Sequence, residues 1–462
     1  MIDLSFLSGK NIGVVGLGKT GRSVIDALKA AYANIFAWDD QEETRADVEV
    51  TDFATLDFTT LDMIVWSPGI PHLGDAAHEI AKRAREMNVP LICDIELFCQ
   101  SVKGGDIIAI TGTNGKSTTT ALLGHILEGF RPTAIGGNIG APVLTLDALP
   151  DDGTYVLELS SYQLELAPSL KPRGAILLNI TPDHLSRHGG LDGYIAAKEN
   201  IFANASETVK PVAVIAIDTD PSKEIADRLE RDGKWQVVRV STQAKLATGF
   251  YVEAGKIYQT ANGEIIDTLD LSLAPALKGV HNHENAACAY AIARMIYGYD
   301  PQKILERMNS FGGLPHRQFL VRSINGISYI NDSKATNAEA AAHALACMKN
   351  VYWILGGQAK EGGLSGLEDY MDRIKHAFLI GEASSEFAKF LTAAGVPYSH
   401  SGTIETAVQE AHKMAQHNRG EPGGAGIVLL SPACASWDQF KSFEHRGDVF
   451  AELVQNLPED AS

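Results

Sequence analysis

The stretch Ile107-Ile108-Ala109-Ile110-Thr111-Gly112-Thr113-Asn114-Gly115-Lys116-Ser117-Thr118 decides the fold of this 462-residue chain. An apolar strand runs into a glycine-rich turn, and a lysine and two hydroxyl residues then open a segment with helical character. Backbone N–H groups at a helix N-terminus point toward an anion, and the helix dipole favours negative charge there. The stretch therefore predicts a phosphate-binding loop in an α/β domain. In that loop Lys116 reaches the β- and γ-phosphates and Ser117 holds Mg²⁺.

This loop departs from the general phosphate-loop pattern at one position. The pattern requires glycine five residues before Gly115, where this chain has Ile110. We expect Gly112 to supply the turn instead. The alternative is an ordinary strand–turn–helix corner, but Gly-Lys-Ser at the end of a strand is a specific combination that favours phosphate.

Length, charge and cysteine content limit the class of protein. A chain of 462 residues is expected to form two or three domains. The net charge of −18 argues against a nucleic-acid-binding surface. Five cysteines without CxxC spacing indicate reduced thiols, and so a cytoplasmic protein. No apolar run is long enough to span a bilayer, and the N-terminus does not resemble a signal peptide.

Strands that alternate with helical stretches predict an α/β fold with parallel sheets in three domains. We expect a Rossmann-like domain at 1–104, a central phosphate-loop domain at 105–314 and a Rossmann-like C-terminal domain at 315–462. Residues 234–273 alternate more and predict a small antiparallel appendage, and a hinge is expected near Gly312-Gly313. The main strand candidates are Asn11–Val15, Asn34–Trp38, Met63–Trp66, Tyr155–Leu159, Gly174–Asn179, Pro211–Ile217, Ile327–Ile330, Val351–Leu355, Ala377–Ile380 and Gly426–Leu430.

A second glycine-rich turn, Gly16-Leu17-Gly18-Lys19-Thr20-Gly21, follows the first strand candidate, and Asp39 follows the next strand. This spacing is typical of NAD- or FAD-binding folds. The pattern itself requires only that a diphosphate lie at a helix N-terminus. Another turn, Ser67-Pro68-Gly69-Ile70-Pro71, could donate further N–H groups. The alternative is that these glycines serve only strand–helix packing.

Polar residues follow the strands of the central domain. Glu158 ends one strand, where a carboxylate is well placed for Mg²⁺, although a solvated strand-end glutamate is the alternative. Asp183 and His184 follow another strand and are expected to face the same crevice. Lys198 lies on a helical stretch, where a lysine is exposed by default.

Two further regions carry candidate ligand-binding residues. Asn282 and Asn285 are three residues apart near a helix start, so both can face one adenine edge, although Asn282 could instead cap the helix. In the C-terminal block, Asn331–Asn337 and Ser431–Phe440 are loops at strand ends, where open α/β sheets bind ligands. Arg317 lies at the junction of two blocks, where an arginine can reach a phosphate.

The chain resembles the Mur ligase family, whose members use ATP to add amino acids to the peptidoglycan precursor. The resemblance rests on Thr111–Ser117, His281–Asn285 and Asn331–Thr336 and covers nearly the whole chain. Leu430–Phe440 and Phe443–Gly447 are similar to motifs of the branch that adds D-glutamate. The resemblance thus implies ATP, Mg²⁺, UDP-N-acetylmuramoyl-L-alanine and D-glutamate as ligands. We also expect a monomer that binds neither nucleic acid nor membrane.

The resemblance assigns roles to individual residues, with Lys116, Lys198 and His184 as the catalytic set. Lys198 matches the lysine that is carbamylated in the family, and Lys360 has an acid after it where relatives commonly have glycine. The ATP-binding residues are Gly112, Thr113, Asn114, Gly115, Lys116, Ser117, Thr118, Asn282, Asn285, Arg317, Asp332 and Lys334. The residues for the UDP-linked substrate are Gly18, Thr20, Asp39, Ser67, Pro68, Gly69 and Asn138. Those for D-glutamate are Thr336, Lys360, Ser431 and Phe440, and those for magnesium are Ser117, Glu158, His184 and Lys198.

Three alternative functions remain at this stage. In an NAD-dependent oxidoreductase, Gly16–Gly21 would bind the dinucleotide. That function leaves the Lys116 loop unexplained. A non-catalytic nucleotide-binding regulator would bind the nucleotides without producing ADP. A family member could also ligate a different amino acid.

Overall fold

The computed structural model describes residues 2–74, 76–206, 208–359, 362–420 and 426–459. These residues form three β-sheets of four, nine and six strands, here called the first, central and third sheets. The α/β class with mostly parallel sheets is confirmed.

The first sheet is parallel, with the strand order β2-β1-β3-β4. Its centre, β1, is buried over four of its five residues, which agrees with a strand covered on both faces. Its elements are β1 (Asn11–Val15), α1 (Lys19–Ala30), β2 (Asn34–Trp38), β3 (Met63–Trp66), α2 (Glu79–Glu86), β4 (Leu91–Ile92) and α3 (Asp94–Ser101).

The central sheet has the strand order β13-β12-β11-β10-β9-β8-β5-β7-β6. Its inner strands are runs of fully buried residues, and α4 and α9 pack together against one face. Its strands are β5 (Asp106–Thr111), β6 (Thr133–Gly137), β7 (Thr154–Glu158), β8 (Gly174–Leu177), β9 (Val212–Ala216), β10 (Gln236–Ser241), β11 (Gly249–Glu253), β12 (Lys256–Ala261) and β13 (Glu264–Asp270). Its helices are α4 (Lys116–Glu128), α5 (Ser161–Leu164), α6 (Leu185–His188), α7 (Leu191–Glu199), α8 (Asp220–Asp232), α9 (Val280–Met295) and α10 (Pro301–Ser310).

The prediction of a small antiparallel appendage at 234–273 was partly wrong. Only β11, β12 and β13 pair antiparallel, whereas β10 pairs parallel with both β9 and β11. The region therefore extends the central sheet because its hydrogen bonds continue from β9 outward. The outermost strand, β13, exposes Ile265 and Ile266 to solvent at 55% and 54%.

The third sheet has the strand order β14-β15-β19-β16-β17-β18, and only β14 is antiparallel to its neighbour. Buried apolar residues pack on both of its faces. Its strands are β14 (Phe319–Ile324), β15 (Ile327–Asn331), β16 (Val351–Gly356), β17 (Ile374–Ile380), β18 (Tyr398–Gly402) and β19 (Ile427–Leu430). Its helices are α11 (Ala338–Cys347), α12 (Ser384–Ala393), α13 (Ile404–His417) and α14 (Phe443–Gln455).

The chain divides into two compact units, Met1–Phe311 and Gly312–Ser462. The first unit contains both the first and the central sheet, and one core cluster includes residues from both. The domain boundaries at 104 and 314 and the hinge at Gly312-Gly313 stay predictions. A bilayer-crossing helix, judged by length and apolar character, is not found among the described residues.

Candidate active site

The glycine-rich turn between β5 and α4 has the conformation expected of a phosphate-binding loop. Gly112 has a φ of +154° and Gly115 has a φ of +86°, and such values favour glycine. A Cβ atom at Gly115 would overlap Oδ1 of Asn285, and one at Gly112 would lie 2.9 Å from Cβ of Leu178. Ile110, in contrast, is a buried residue inside β5. The interpretation that Gly112 supplies the turn is therefore confirmed.

Two lysine side chains meet at one carbonyl of this loop. Lys116 Nζ donates to the carbonyl oxygens of Gly112 at 2.9 Å and Thr113 at 2.8 Å. Lys198 Nζ, on α7, donates to the same Gly112 oxygen at 2.8 Å. Lys198 also lies over the ring of Tyr194, with Nζ 4.6 Å from the ring centroid. The lysine on α7 is thus part of the phosphate-loop region.

Lys198 is only 1% exposed, so the default assignment of a surface lysine is wrong. Burial, together with the charge of the nearby Lys116, lowers the pKa of Lys198 to about 7. Both effects disfavour the charged ammonium. A substantial share of this side chain is therefore the neutral, nucleophilic amine near pH 7.

Glu158 ends β7 and is 2% exposed, so the alternative of a solvated glutamate is also wrong. Its Oε1 accepts a hydrogen bond from Asn138 Nδ2 at 2.9 Å. The carbonyl oxygen of Glu158 accepts a second bond from the Asn138 amide, also at 2.9 Å. Among the described residues, Oε2 of Glu158 has no hydrogen-bond partner although it is buried. A buried carboxylate oxygen without a partner is available to a ligand or a cation.

His184 and Asp183 lie in the loop between β8 and α6. His184 has a φ of +50°, and its Nε2 is 3.5 Å from Oδ2 of Asp183. The His184 ring lies 5.3 Å from the ring of Tyr162 on α5, measured between centroids. The side chain of His184 is half exposed and can meet a ligand. In the described ranges, no group of three or more His, Cys, Asp or Glu side chains is arranged to hold a metal ion.

A buried polar cluster joins the turn after β3 to the segment after His184. Arg187 Nη2 donates to the Ile70 carbonyl oxygen at 3.2 Å and lies 2.8 Å from His72 Nδ1. Glu165 Oε1 lies 3.0 Å from His188 Nδ1. Burial and the Arg187 charge lower the pKa of both histidines to about 4, so both are neutral at pH 7. The cluster links the first sheet to the central one beside the His184 loop.

Helix α9 begins at Val280 with Gly279 as its N-cap, so the alternative that Asn282 caps the helix is wrong. Asn282 Nδ2 donates to the Lys278 carbonyl oxygen at 3.0 Å, and Asn285 Nδ2 donates to Asn282 Oδ1 at 3.3 Å. The two amides therefore lie on one side of the helix, as their spacing predicts. Asn285 is buried and touches Gly115 of the phosphate loop.

The turn between β1 and α1 is built differently. Gly16 has a φ of +94°, and a Cβ there would overlap Cβ of Ser67, so the turns after β1 and β3 are in contact. Asp39, which follows β2, accepts backbone N–H bonds from Leu17 at 2.6 Å and Gln41 at 2.9 Å. The carboxylate thus holds the glycine-rich turn itself. Gly18 precedes α1 in extended conformation without a side-chain cap, which leaves helix N–H groups for an anion.

In the third sheet, the structure pairs two residues that the sequence assigned to different ligands. Ser431 Oγ donates to Asp332 Oδ2 at 2.7 Å, and the Gln318 amide donates to Asp332 Oδ1 at 3.1 Å. Both side chains are buried, and burial raises the pKa of Asp332 to about 7. The Ser431 hydroxyl therefore holds the Asp332 carboxyl group in place by a hydrogen bond.

The other predicted residues of this unit lie around the same strand ends. Lys334 Nζ is 5.2 Å from the centroid of the Phe443 ring. Arg317 is exposed, whereas Thr336 and Phe440 are half-buried. Lys360 lies outside the described residues.

Sequence reasoning missed several residues that organise these loops. Arg446, on α14, is fully buried and donates to Ser333 Oγ at 2.9 Å and to the Ser333 and Cys434 carbonyl oxygens at 2.8 and 3.1 Å. It thereby joins the loops after β15 and β19. In the sequence, Arg446 stood out only as part of the Phe443–Gly447 motif, and no function was assigned to that motif. Asn179, which contacts the phosphate loop, and Glu284, which contacts Asn179, gave no signal beyond proximity to assigned motifs.

Comparison with known proteins identifies the family. Residues 110–293 match the model of the Mur ligase middle domain, and residues 316–434 match that of the Mur ligase glutamate ligase domain. A UDP-N-acetylmuramoylalanine–D-glutamate ligase of Paramagnetospirillum magneticum is 49% identical over 98% of both chains. A ligase of the same name from Rhodospirillum rubrum is 49% identical over 99% of this chain and 97% of its own. The chain belongs to the Mur ligase family.

Solved structures agree with this fold. UDP-N-acetylmuramate-alanine ligase MurC of Thermotoga maritima has a TM-score of 0.60 at 18% identity, covering 96% of this chain and 99% of its own. MurF of Acinetobacter baumannii has a TM-score of 0.55 at 20% identity, covering 79% of each chain. At such identities the likeness concerns the fold alone.

Proposed function

We propose that this chain joins D-glutamate to UDP-N-acetylmuramoyl-L-alanine with the hydrolysis of ATP to ADP and phosphate. The observation that carries the proposal is the near full-length similarity, at 49% identity, to two ligases with that name. The phosphate loop with its paired lysines and the buried Glu158 supplies the chemistry that such a ligase needs. The relatives give no support to a dinucleotide-dependent oxidoreductase.

In this proposal ATP occupies the loop between β5 and α4. The triphosphate lies at the N-terminus of α4, where Lys116 and the hydroxyls of Ser117 and Thr118 surround it. Lys116 Nζ lies on the loop carbonyl oxygens, and we assign its ammonium group to the phosphates. Asn282 and Asn285 offer amide groups to adenine. Arg317, Asp332 and Lys334 are the residues of the second unit that we assign to ATP.

The residues present fit a magnesium ion. Oε2 of Glu158 is a buried carboxylate oxygen without a hydrogen-bond partner among the described residues, and Mg²⁺ prefers oxygen ligands. We assign Ser117, Glu158, His184 and a carbamylated Lys198 to its site. Bound Mg²⁺ supplies positive charge that offsets the repulsion between a carboxylate and phosphates.

The family resemblance implies that Lys198 is carbamylated, and the surroundings of its amine support this assignment. The neutral amine attacks the carbon of CO₂, a C–N bond forms, and the released proton leaves an anionic carbamate. Burial and the charge of Lys116 both favour the neutral amine, and the charge of Lys116 also favours the anionic product. The variant Lys198→Ala should lose most activity and recover part of it with short carboxylic acids, measured as ADP release. Full activity without any additive would show that the carbamate is dispensable.

The acceptor substrate is proposed to extend from the first sheet to the central one. The diphosphate of UDP lies at Gly18 and Thr20 near the start of α1, with Asp39 and Ser67–Gly69 beside it. Asn138, which Glu158 holds in place, contacts the muramoyl-alanine part. Thr336, Lys360, Ser431 and Phe440 are assigned to D-glutamate.

The reaction has two steps. An oxygen of the L-alanine carboxylate attacks the γ-phosphorus, the bond to the ADP oxygen breaks, and an acyl phosphate forms. The D-glutamate nitrogen then attacks the acyl carbon, phosphate leaves and the nitrogen loses a proton, which completes the amide. Lys116 and Arg317 provide positive charge for the first step, which depends mainly on positioning and electrostatics.

Phosphate release with UDP-N-acetylmuramoyl-L-alanine and ATP, measured while one amino acid is varied at a time, tests this function. D-Glutamate should give the highest kcat/KM. A higher kcat/KM with another amino acid would change the substrate, and binding of ATP without ADP production would indicate a regulator instead. We also propose a cytoplasmic monomer, and the five cysteines are all free thiols.

A further inference from the structure

Asn179, the residue two positions after β8, binds the phosphate loop through both its backbone and its side chain. Its carbonyl oxygen accepts the Thr113 N–H at 2.7 Å. Its Oδ1 accepts the Asn114 N–H at 2.9 Å, and its Nδ2 donates to the Asn114 carbonyl oxygen at 3.3 Å. One carboxamide therefore pairs with both polar groups of the Asn114 backbone, as a neighbouring strand would.

The second N–H of the Asn179 carboxamide points to Glu284 in the first part of α9. Nδ2 donates to Glu284 Oε1 at 3.2 Å. A carboxamide has two N–H donors, and both now have an acceptor. In its ionised form the Glu284 carboxylate can only accept, so that form requires the nitrogen of Asn179 on its own side and leaves Oδ1 for the Asn114 amide.

Glu284 is an unfavourable residue for folding. The ion pairs of the described residues do not include it, and burial, together with the charge of Asp218, raises its pKa to about 7. The hydrogen bond from Asn179 acts in the opposite direction. A partly buried acid without a cation reduces stability, so stability does not explain why an acid stands there.

We propose that Glu284, acting through Asn179, is a positioning residue for the ATP site. It fixes the orientation of the Asn179 carboxamide, which fixes the Asn114 peptide at the start of the loop. Because the Thr113 and Asn114 amides are bonded to Asn179, the amides of the next residues, from Gly115 to Ser117, face the phosphates. This inference rests on the proposed ATP-dependent ligase function.

The test compares Glu284→Leu, Glu284→Gln, Asn179→Ala and the double variant Glu284→Leu/Asn179→Ala in the full chain. Glu306→Leu, at an exposed position of α10, is the matched control. For each variant we would measure the KM of all three substrates, the Kd of a fluorescent ADP analogue and the free energy of unfolding in denaturant.

Glu284→Leu should raise the KM of ATP and the Kd of ADP by about fivefold, the effect of one lost hydrogen bond. The KM values of the other two substrates should change by less than about twofold, and stability should not fall. Glu284→Gln keeps an accepting oxygen and should recover most of the ADP affinity. The double variant should be no weaker than Asn179→Ala, because Glu284 acts only through that residue.

Three outcomes would overturn the proposal. They are an unchanged ADP affinity in Glu284→Leu, equal losses for all three substrates together with lower stability, and independent effects that multiply in the double variant. The ADP measurement separates this inference from the ligase function. If the unaltered chain bound ADP but formed no product, the ligase function would fail while the ADP data would still test the positioning role.

Discussion

The two glycine-rich turns of the first unit have similar sequences but different surroundings. In the turn after β1, the acid at the end of the neighbouring strand, Asp39, binds the Leu17 amide directly. In the turn after β5, the acid is Glu284 on a distant helix, and it acts through Asn179. Among the described residues, only the second turn has lysine Nζ atoms on its own carbonyl oxygens. The spacing of glycines therefore indicates an anion site, whereas the groups around the turn decide which anion it takes.

The largest effect is expected when the lysine charge is removed from the second turn and not from the first. Lys116→Ala removes the cation nearest the phosphates and should lower kcat by roughly 10²–10³-fold. Lys19→Ala, in the other turn, removes a bond from Nζ to the Gly140 carbonyl oxygen and should leave the KM of ATP within about twofold. ADP release checks both variants. Normal turnover in Lys116→Ala would contradict the assignment of ATP to the second turn.

Glu284, which contacts the second turn through Asn179, should make the free energy of unfolding depend on pH. The ordinary pKa of Glu284 is 4.5, and burial raises it to about 7 in the folded chain. The stabilisation is therefore complete below the ordinary pKa and is lost as the pH rises through 7. The free energy of unfolding of Glu284→Gln, minus that of the unaltered chain, should therefore increase by on the order of 3 kcal/mol as the pH rises from 5 to 8. Denaturant unfolding at several pH values measures this, and a pH-independent difference would contradict it.

Two alanine substitutions compare the turns directly. Both Gly115 and Gly16 have positive φ, and a Cβ atom at either would overlap a neighbour, so each substitution should introduce about 1–3 kcal/mol of strain. Gly115→Ala should raise mainly the KM of ATP, and Gly16→Ala mainly that of the UDP-linked substrate. Steady-state kinetics with each substrate varied in turn shows the contrast. Equal effects of both variants on both substrates would mean that the turns are not separate sites.

The smallest effect concerns the acid of the first turn. Asp39→Asn retains one accepting oxygen but places an NH₂ group against a backbone amide, which should cost about 1 kcal/mol. The KM of the UDP-linked substrate should rise about fivefold while that of ATP stays constant. A change in the KM of ATP alone would reverse the assignment of the first turn.

The parallel core could be predicted from sequence because its strands are continuous apolar runs. Strands β7 and β9 were found within one residue at each end, since buried strands in parallel sheets lack polar interruptions. Strand β4 has two residues and β6 ends in two glycines, so neither carries such a signal. The direction of β10 could not be predicted because alternation along a strand does not indicate the direction of its neighbours.

The site was predictable only in part, for a similar physical reason. Loop residues such as Gly115 and Lys116 follow from local sequence, because a turn and a helix start need particular residue types. The contact between Asn179 and Glu284 joins residues 105 positions apart in sequence, and no periodic pattern indicates it. The burial of Lys198 likewise depends on tertiary packing, and only family resemblance suggested a role for it.

The outer strand β13 has a consequence for handling the purified protein. Ile265 and Ile266 lie at a β-bulge, and both expose apolar surface at an edge whose outer backbone groups could pair with a second molecule. Asp267 and Asp270 on this strand are paired with Arg294 and Lys256, so the repulsion between two such edges comes from Glu264 and from the net charge of −18. High salt screens that repulsion. Concentrated stocks should therefore stay clear longest in buffers of low ionic strength, and lysine in place of Ile266 should widen the usable range.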